Sequence, residues 1–159
     1  MLSMIDLDDT DLKLLDLLQQ DAARSNQALA EAAGISPATA LRRVRRLVEA
    51  GAIERVVALV APALRPDSLT AIVEITLDRQ DEASRGAFEA RVAADAAVQQ
   101  CWRLASGPDF VLVLWVPGMS AYQALAQRLF TQDANVRNVR AYFSARRAKF
   151  EPRLDLGSS

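Results

Sequence analysis

The spacing of apolar residues differs between the two halves of this chain, and that difference limits what it can fold into. Up to about residue 50 they recur every three or four positions, and from about residue 69 they recur mostly every second position. The first spacing belongs to helices with one buried face, the second to half-buried strands. A chain of 159 residues therefore reads as two small units, with enough length for a proper core.

Residues 8–20 fit a helix. At about 100° per residue, Leu14, Leu15, Leu17 and Leu18 share an arc of roughly 160°, with Lys13, Asp16, Gln19 and Gln20 on the other side. Asp8 and Asp9 suit the N-cap and first turn, where carboxylates meet free N–H groups. After a break at 21–24, Ser25 caps a short helix over 26–33, and Gly34 tolerates the positive φ at its end. Ser36-Pro37 reads as the N-cap and N1 proline of a third helix that runs to Ala50 and stops at Gly51. Three helices with a tight turn at Gly34 make a helix-turn-helix layout.

The second half alternates. Val73, Ile75 and Leu77 interleave with Glu74 and Thr76 as in a half-buried strand, and residues 83–94 are helical with Phe88 and Val92 four apart. A strand is expected over 98–104, a turn at Ser106-Gly107-Pro108-Asp109, and a strand over Phe110–Val116 that is apolar at every position. A helix over 120–130 and a strand over 138–145 complete a βαββαβ order, the ferredoxin-like split unit. Its two helices cover one sheet face, so the other face calls for a partner. Between the halves, residues 53–60 read as a strand, followed by a linker over 61–66 with Pro62 and Pro66. Only Gly157-Ser158-Ser159 reads as disordered.

The absent side chains exclude much chemistry. With no His there is no imidazole base, no His-ligated metal and no Ser-His-Asp triad. The single Cys101 excludes a disulfide within the chain and a thiolate cluster, and reads as a small buried hydrophobe. Glu74 and Asp78 do not form a catalytic pair, so no cofactor, metal or catalytic residue is expected. Trp102 and Trp115 read as core or interface residues. Residues 1–11 lack the basic and apolar regions of a signal peptide, and the longest apolar run, 110–117, is too short to span a bilayer. A soluble cytoplasmic protein is expected.

Charge is unevenly placed. The formal total is −1, from 19 Lys+Arg against 20 Asp+Glu, and 17 of the cations are Arg. Residues 1–35 carry a net −5, whereas 36–56 carry a net +3. On the third helix, Thr39, Arg42, Arg43 and Arg46 fall within an arc of about 100°, flanked by Arg45, with Ala40, Leu41, Val44, Leu47 and Val48 opposite. An Arg row on such a helix reaches both phosphates and guanine edges in the major groove. Ser36, Thr39, Arg42, Arg43, Arg45 and Arg46 are therefore the candidate contacts to double-stranded DNA.

The runs Asp11–Leu18, Leu29-Ala30, Gly34-Ile35-Ser36-Pro37-Ala38-Thr39, Leu41-Arg42-Arg43-Val44-Arg45-Arg46-Leu47 and Gly51-Ala52-Ile53 resemble the Lrp/AsnC regulators. The likeness continues through Val73-Glu74-Ile75, Cys101, Ser106-Gly107 and Val116-Pro117-Gly118-Met119-Ser120-Ala121-Tyr122, and so over nearly the whole chain. It implies an α+β protein: a winged helix-turn-helix over 1–52, a β-strand hinge and linker over 53–68, and a ferredoxin-like ligand-sensing and oligomerisation (RAM) domain over 69–150. A tail over 151–159 follows. It further implies a sequence-specific transcriptional regulator whose assembly or DNA affinity responds to a small amino acid or related metabolite. A homodimer and a higher homo-oligomer are the expected assemblies.

The family's ligand loop carries a Gly, two residues and an Asp; here Gly107-Pro108-Asp109 is one residue tighter. By resemblance, Asp109 receives a ligand ammonium, Gly107 allows close approach, and Leu104 and Tyr142 line the pocket. The plain alternative for Asp109 is a turn residue that satisfies nearby N–H groups. Arg146, Arg147 and Lys149 either touch DNA or keep an edge strand soluble. Two other readings stand beside the regulator: a ligand- or partner-binding module without DNA affinity, and a sirohaem-decarboxylase-like enzyme. The latter conflicts with the absence of His.

Overall fold

A computed structural model of the chain describes residues 6–157. Ser158 and Ser159 of the expected disordered end, and residues 1–5 of the expected first domain, lie outside the described residues. Two compact units emerge: residues up to 59 together with those from 149 onward, and residues 60–148. This division differs from the expected boundaries, because the chain after 148 returns to the first unit.

The first unit holds α1 (Asp9–Gln20), α2 (Asn26–Ala33) and α3 (Pro37–Glu49). Each begins on a side-chain cap that satisfies N–H groups the helix itself leaves open. Asp8 and Asp11 form a reciprocal box at α1: Asp11 N–H donates to Asp8 Oδ1 at 2.9 Å and Asp8 N–H to Asp11 Oδ2 at 3.2 Å. Ser25 Oγ accepts from Ala28 N–H, and Ser36 Oγ from Thr39 N–H. Gly34, at φ 71°, ends α2 in the left-handed conformation that opens the turn into α3. Leu14, Leu29, Ala30, Ala40 and Leu47 are almost wholly buried and make the core of the three helices. The returning tail is held on α1, where Gln19 Nε2 donates to Leu154 O at 3.1 Å and Leu154 N–H donates to Gln19 Oε1 at 2.8 Å.

The second unit is a four-stranded antiparallel sheet in the order β2-β3-β1-β4. It is built from β1 (Leu69–Leu77), α4 (Glu82–Ala93), β2 (Val98–Arg103), β3 (Phe110–Val116), α5 (Met119–Ala126) and β4 (Val136–Phe143). The expected helix over 120–130 changes register part-way, into a π turn at Gln127–Thr131. Leu129 and Phe130 in that turn stay buried, and the Leu129 carbonyl accepts from Arg91 Nη2 at 3.2 Å. Alternation decides the sheet's two faces. Ala71, Val73, Ile75 and Leu77 of β1 and Phe110, Leu112, Leu114 and Val116 of β3 are buried with Phe88, Val92, Leu125 and Phe130 of the helices. Cys101 pairs with Leu112 and packs against this core, half-buried, and desolvation pushes its thiol pKa up.

The opposite face is open. Trp102 is 58% exposed, Tyr142 50% and Ile72 42%, while Val111, Val113 and Trp115 are half-buried there. Trp102 is thus no part of this chain's own core. The expected strand at 53–60 is also not formed, and neither is a wing: residues 54–61 carry no secondary structure. A strand needs a neighbour for its N–H and C=O groups, and among the described residues this segment has none. Val56, Val57, Leu59 and Val60 lie 60–68% exposed along it.

Candidate nucleic-acid interface and effector site

α3 was expected to present Thr39, Arg42, Arg43 and Arg46 outward, with Leu41 and Val48 inward. Its buried residues are Ala40 and Leu47, whereas Leu41 is half-buried and Val48 is 51% exposed. The outward face is therefore turned toward Ala38, Arg42, Arg45 and Glu49, all exposed. Ala38, Leu41, Arg42, Arg45, Arg46 and Glu49 line a shallow, open groove along it.

The reason for the turn is electrostatic. Asp11 sits at the start of α1 with a fully buried side chain, and a buried carboxylate is stable only when paired and hydrogen-bonded. Arg43 supplies one partner, donating from Nη1 to Asp11 Oδ1 at 2.9 Å and to Asp8 Oδ2 at 2.7 Å. Arg46 supplies the other, through Nη2 to Asp11 Oδ2. Arg43, Arg46, Arg42 and Asp8 enclose a notch of about 150 Å³ between the two helices. The Arg43 guanidinium and the Asp11 backbone N–H hold the Asp8 carboxyl below the usual carboxylate range. The Asp8 carboxylate first, and the Asp11 carboxylate next, push the Arg43 pKa up in turn. Two of the four candidate arginines are thus committed within the unit, and the expectation that they point freely outward is corrected. Among the described residues Arg42 and Arg45 make no ion pair. Ser36 Oγ is spent on the cap, accepting from Thr39 N–H and donating to Thr39 Oγ1 at 2.9 Å. Neither Asp8 nor Asp11 was singled out from the sequence as a partner of α3, since the contacts span 32 and 35 residues.

In the sheet unit three of the expected effector residues, Leu104, Gly107 and Asp109, share one loop, and Tyr142 lies on β4. Gly107 takes φ 88° in an exposed turn, and Leu104 N–H donates to the Asp109 carbonyl at 2.9 Å to close the loop. Asp109 itself is only 4% exposed. Its Oδ2 accepts from Leu77 N–H at 2.8 Å and Gln80 Nε2 at 3.1 Å, and its Oδ1 from Arg85 Nη2 at 3.0 Å. Both oxygens are occupied by the chain's own donors, so Asp109 presents no free carboxylate to an ammonium group. Of the two readings, the geometry agrees with the turn residue that satisfies its neighbours. Tyr142 lies on the open face opposite Ile72, with its hydroxyl 3.4 Å from Glu74 Oε2. The Asp109 carboxylate is enclosed by Leu77, Gln80 and Arg85, and the Tyr142 hydroxyl meets Glu74, so no hydrogen bond joins the two among the described residues. Among the described residues no cluster of three or more Asp, Glu, Cys or His is placed to hold a metal, and no helix is long and apolar enough to cross a membrane.

Residues 7–54 match the family model for winged helix-turn-helix DNA-binding domains, and residues 70–154 match that for the Lrp/AsnC ligand binding domain. The chain belongs to the Lrp/AsnC family. Among curated Lrp/AsnC relatives, the leucine-responsive regulatory protein of Rhizobium meliloti is 34% identical over 94% of this chain and 96% of its own length. That of Salmonella typhimurium is 36% identical over 94% and 91%. Two solved structures share the fold closely. An AsnC family transcriptional regulator from Agrobacterium tumefaciens superposes with a TM-score of 0.85 at 28% identity, over 95% of this chain and 98% of that one. A transcriptional regulator of Neisseria meningitidis, solved as a complex with L-Met, gives 0.84 at 27%, over 95% and 97%. As an Lrp/AsnC member the protein is a DNA-binding transcriptional regulator with a ligand-binding domain, and the decarboxylase reading is set aside.

The Asp109 network generates a stability prediction. Asp109→Ala strands the buried Leu77 N–H and is expected to cost about 1–3 kcal/mol, read from urea denaturation. Asp109→Asn keeps an acceptor for Leu77 and should recover part of that loss.

Proposed function

We propose that this regulator, acting in the cytoplasm, meets DNA through the outward side of α3, with Arg42 and Arg45 as the cations that carry the contact. The observation behind this reading is that both are exposed, and without an ion pair among the described residues, on the helix that follows the Gly34 turn. Thr39, half-buried at the start of the same helix, is placed beside them. Each phosphate contact steepens the fall of log affinity against log salt by about 0.9. The Arg42→Ala, Arg45→Ala double variant is therefore expected to bind duplex DNA more weakly and with a shallower salt slope. If one of the two reads a base, discrimination at one position falls by about 1–3 kcal/mol instead. A folded double variant with unchanged affinity and slope overturns the assignment.

The protein works as a dimer or larger homo-oligomer. The open sheet face and the extended 54–61 segment both offer apolar surface that a second copy covers, at about 25 cal/mol per Å² buried. Sedimentation at micromolar concentration is expected to give at least a dimer, and Ile72→Glu combined with Trp102→Glu to shift it toward smaller species. A monomeric wild type contradicts this.

The effector is a small amino acid, bound at a subunit interface near the 104–109 loop. Support comes from the L-Met complex of the Neisseria regulator and from the ligand-binding family of residues 70–154. An interface site lets a ligand favour one assembly over another by its differential affinity. With Asp109 enclosed, ammonium recognition falls to another group, and Asp109 acts by shaping the loop. Calorimetry with the twenty amino acids should find saturable binding by at least one, accompanied by a change in sedimentation. No heat with any of them refutes the reading.

A further inference from the structure

The arginines of α3 are divided by one buried carboxylate. Asp11 is inaccessible to solvent, and its ion-pair partners come from α3, at positions 43 and 46, one turn apart on the same helix. Asp8 adds a second acid to Arg43 from the exposed side of the box. Asp8 and Asp11 at the start of α1 therefore hold two guanidiniums and, among the described residues, leave Arg42 and Arg45 without an acid partner. A guanidinium held this way has a fixed orientation and a neutralised charge, so it competes poorly for a phosphate.

We propose that Asp11 is a positioning residue of the DNA-binding helix: it holds Arg43 and Arg46 against α1, sets the rotation of α3 about its axis, and keeps those two charges out of indiscriminate phosphate binding. This inference rests on the reading that α3 contacts DNA. Its consequence is selectivity. Four free arginines on one helix favour any duplex through counterion release, whereas two free arginines leave a larger share of the affinity to base edges.

Asp11→Asn keeps the size of the side chain and an acceptor for the Asp8 N–H, and removes the charge. On a duplex of random sequence it is expected to steepen the log–log salt slope by about 0.9 to 1.8, one or two added phosphate contacts. The ratio of operator to random-sequence affinity should fall. A residue with a merely structural role gives weaker binding with an unchanged or shallower slope, and that result in a folded Asp11→Asn protein overturns the proposal. Asp9→Asn is the control, because it removes the same charge from an exposed side chain two positions earlier. An equal steepening in Asp9→Asn means a general charge effect and also overturns it. If Asp11→Asn does not fold, Asp8→Asn takes its place, with a smaller steepening expected and no steepening counted against the proposal.

A second measurement needs no DNA and so separates this inference from the DNA reading. Arginine side-chain nitrogen NMR of the full-length protein should show hindered guanidinium rotation at Arg43 and Arg46 and free rotation at Arg42 and Arg45. Arg43 and Arg46 should become free in Asp11→Asn. Free rotation at all four in the wild type disproves the clamp whether or not the protein binds DNA.

Discussion

Two helices can cover only one face of a four-stranded sheet, and most of the second unit follows from that. β1 and β3 lie in the middle and bury alternate residues completely under α4, α5 and the π turn. On the other face β3 presents Val111, Val113 and Trp115, and β1 adds Ile72 among Thr70, Glu74 and Thr76, without cover among the described residues. An alternating strand that is hydrophobic on both faces is at home in a sheet buried on both faces. Here the second layer is missing from a single copy, and the apolar 54–61 segment lacks a pairing partner in the same way.

The two units solve a shared electrostatic difficulty alike. Each contains one almost fully buried aspartate, Asp11 and Asp109, and each aspartate is met by arginine and by a backbone N–H. A buried carboxylate without such partners would be strongly destabilising. In the first unit the arginines come from α3, so satisfying the core also fixes two side chains of that helix. In the second, Arg85 and the Leu77 N–H fix the loop that follows Gly107, so the loop's shape is set by a charge that solvent does not reach.

Local patterns in the sequence carried much of this architecture. The caps Asp8, Ser25 and Ser36 and the stop at Gly34 all mark helix ends, and Phe110–Val116 has the expected bounds, because each depends on groups a few residues apart. The rotation of α3 did not show. An apolar arc from Leu41 to Val48 looks like a core stripe on a helical wheel, yet the charged pair at Asp11, more than thirty residues earlier, outweighs it and draws Arg43 inward. The same distance hid the partners of Asp109: an aspartate after Gly-Pro reads equally as a ligand or as a turn residue until Arg85 and Leu77 are seen around it. The strand at 53–60 was legible as a tendency, but a tendency to pair is realised only beside another strand.

The clasp between Gln19 and Leu154 joins residues 135 apart in sequence, so the DNA-binding unit is discontinuous and residues 60–148 form an insertion within it. Synthesis proceeds from the N-terminus, and helices α1 to α3 leave the ribosome long before the segment that fastens onto α1. The unit that touches DNA is therefore the last to be completed, after the whole of the ligand-binding unit has been made. A fragment cut after α3 would carry the three helices but leave the Gln19 amide without its partner at Leu154.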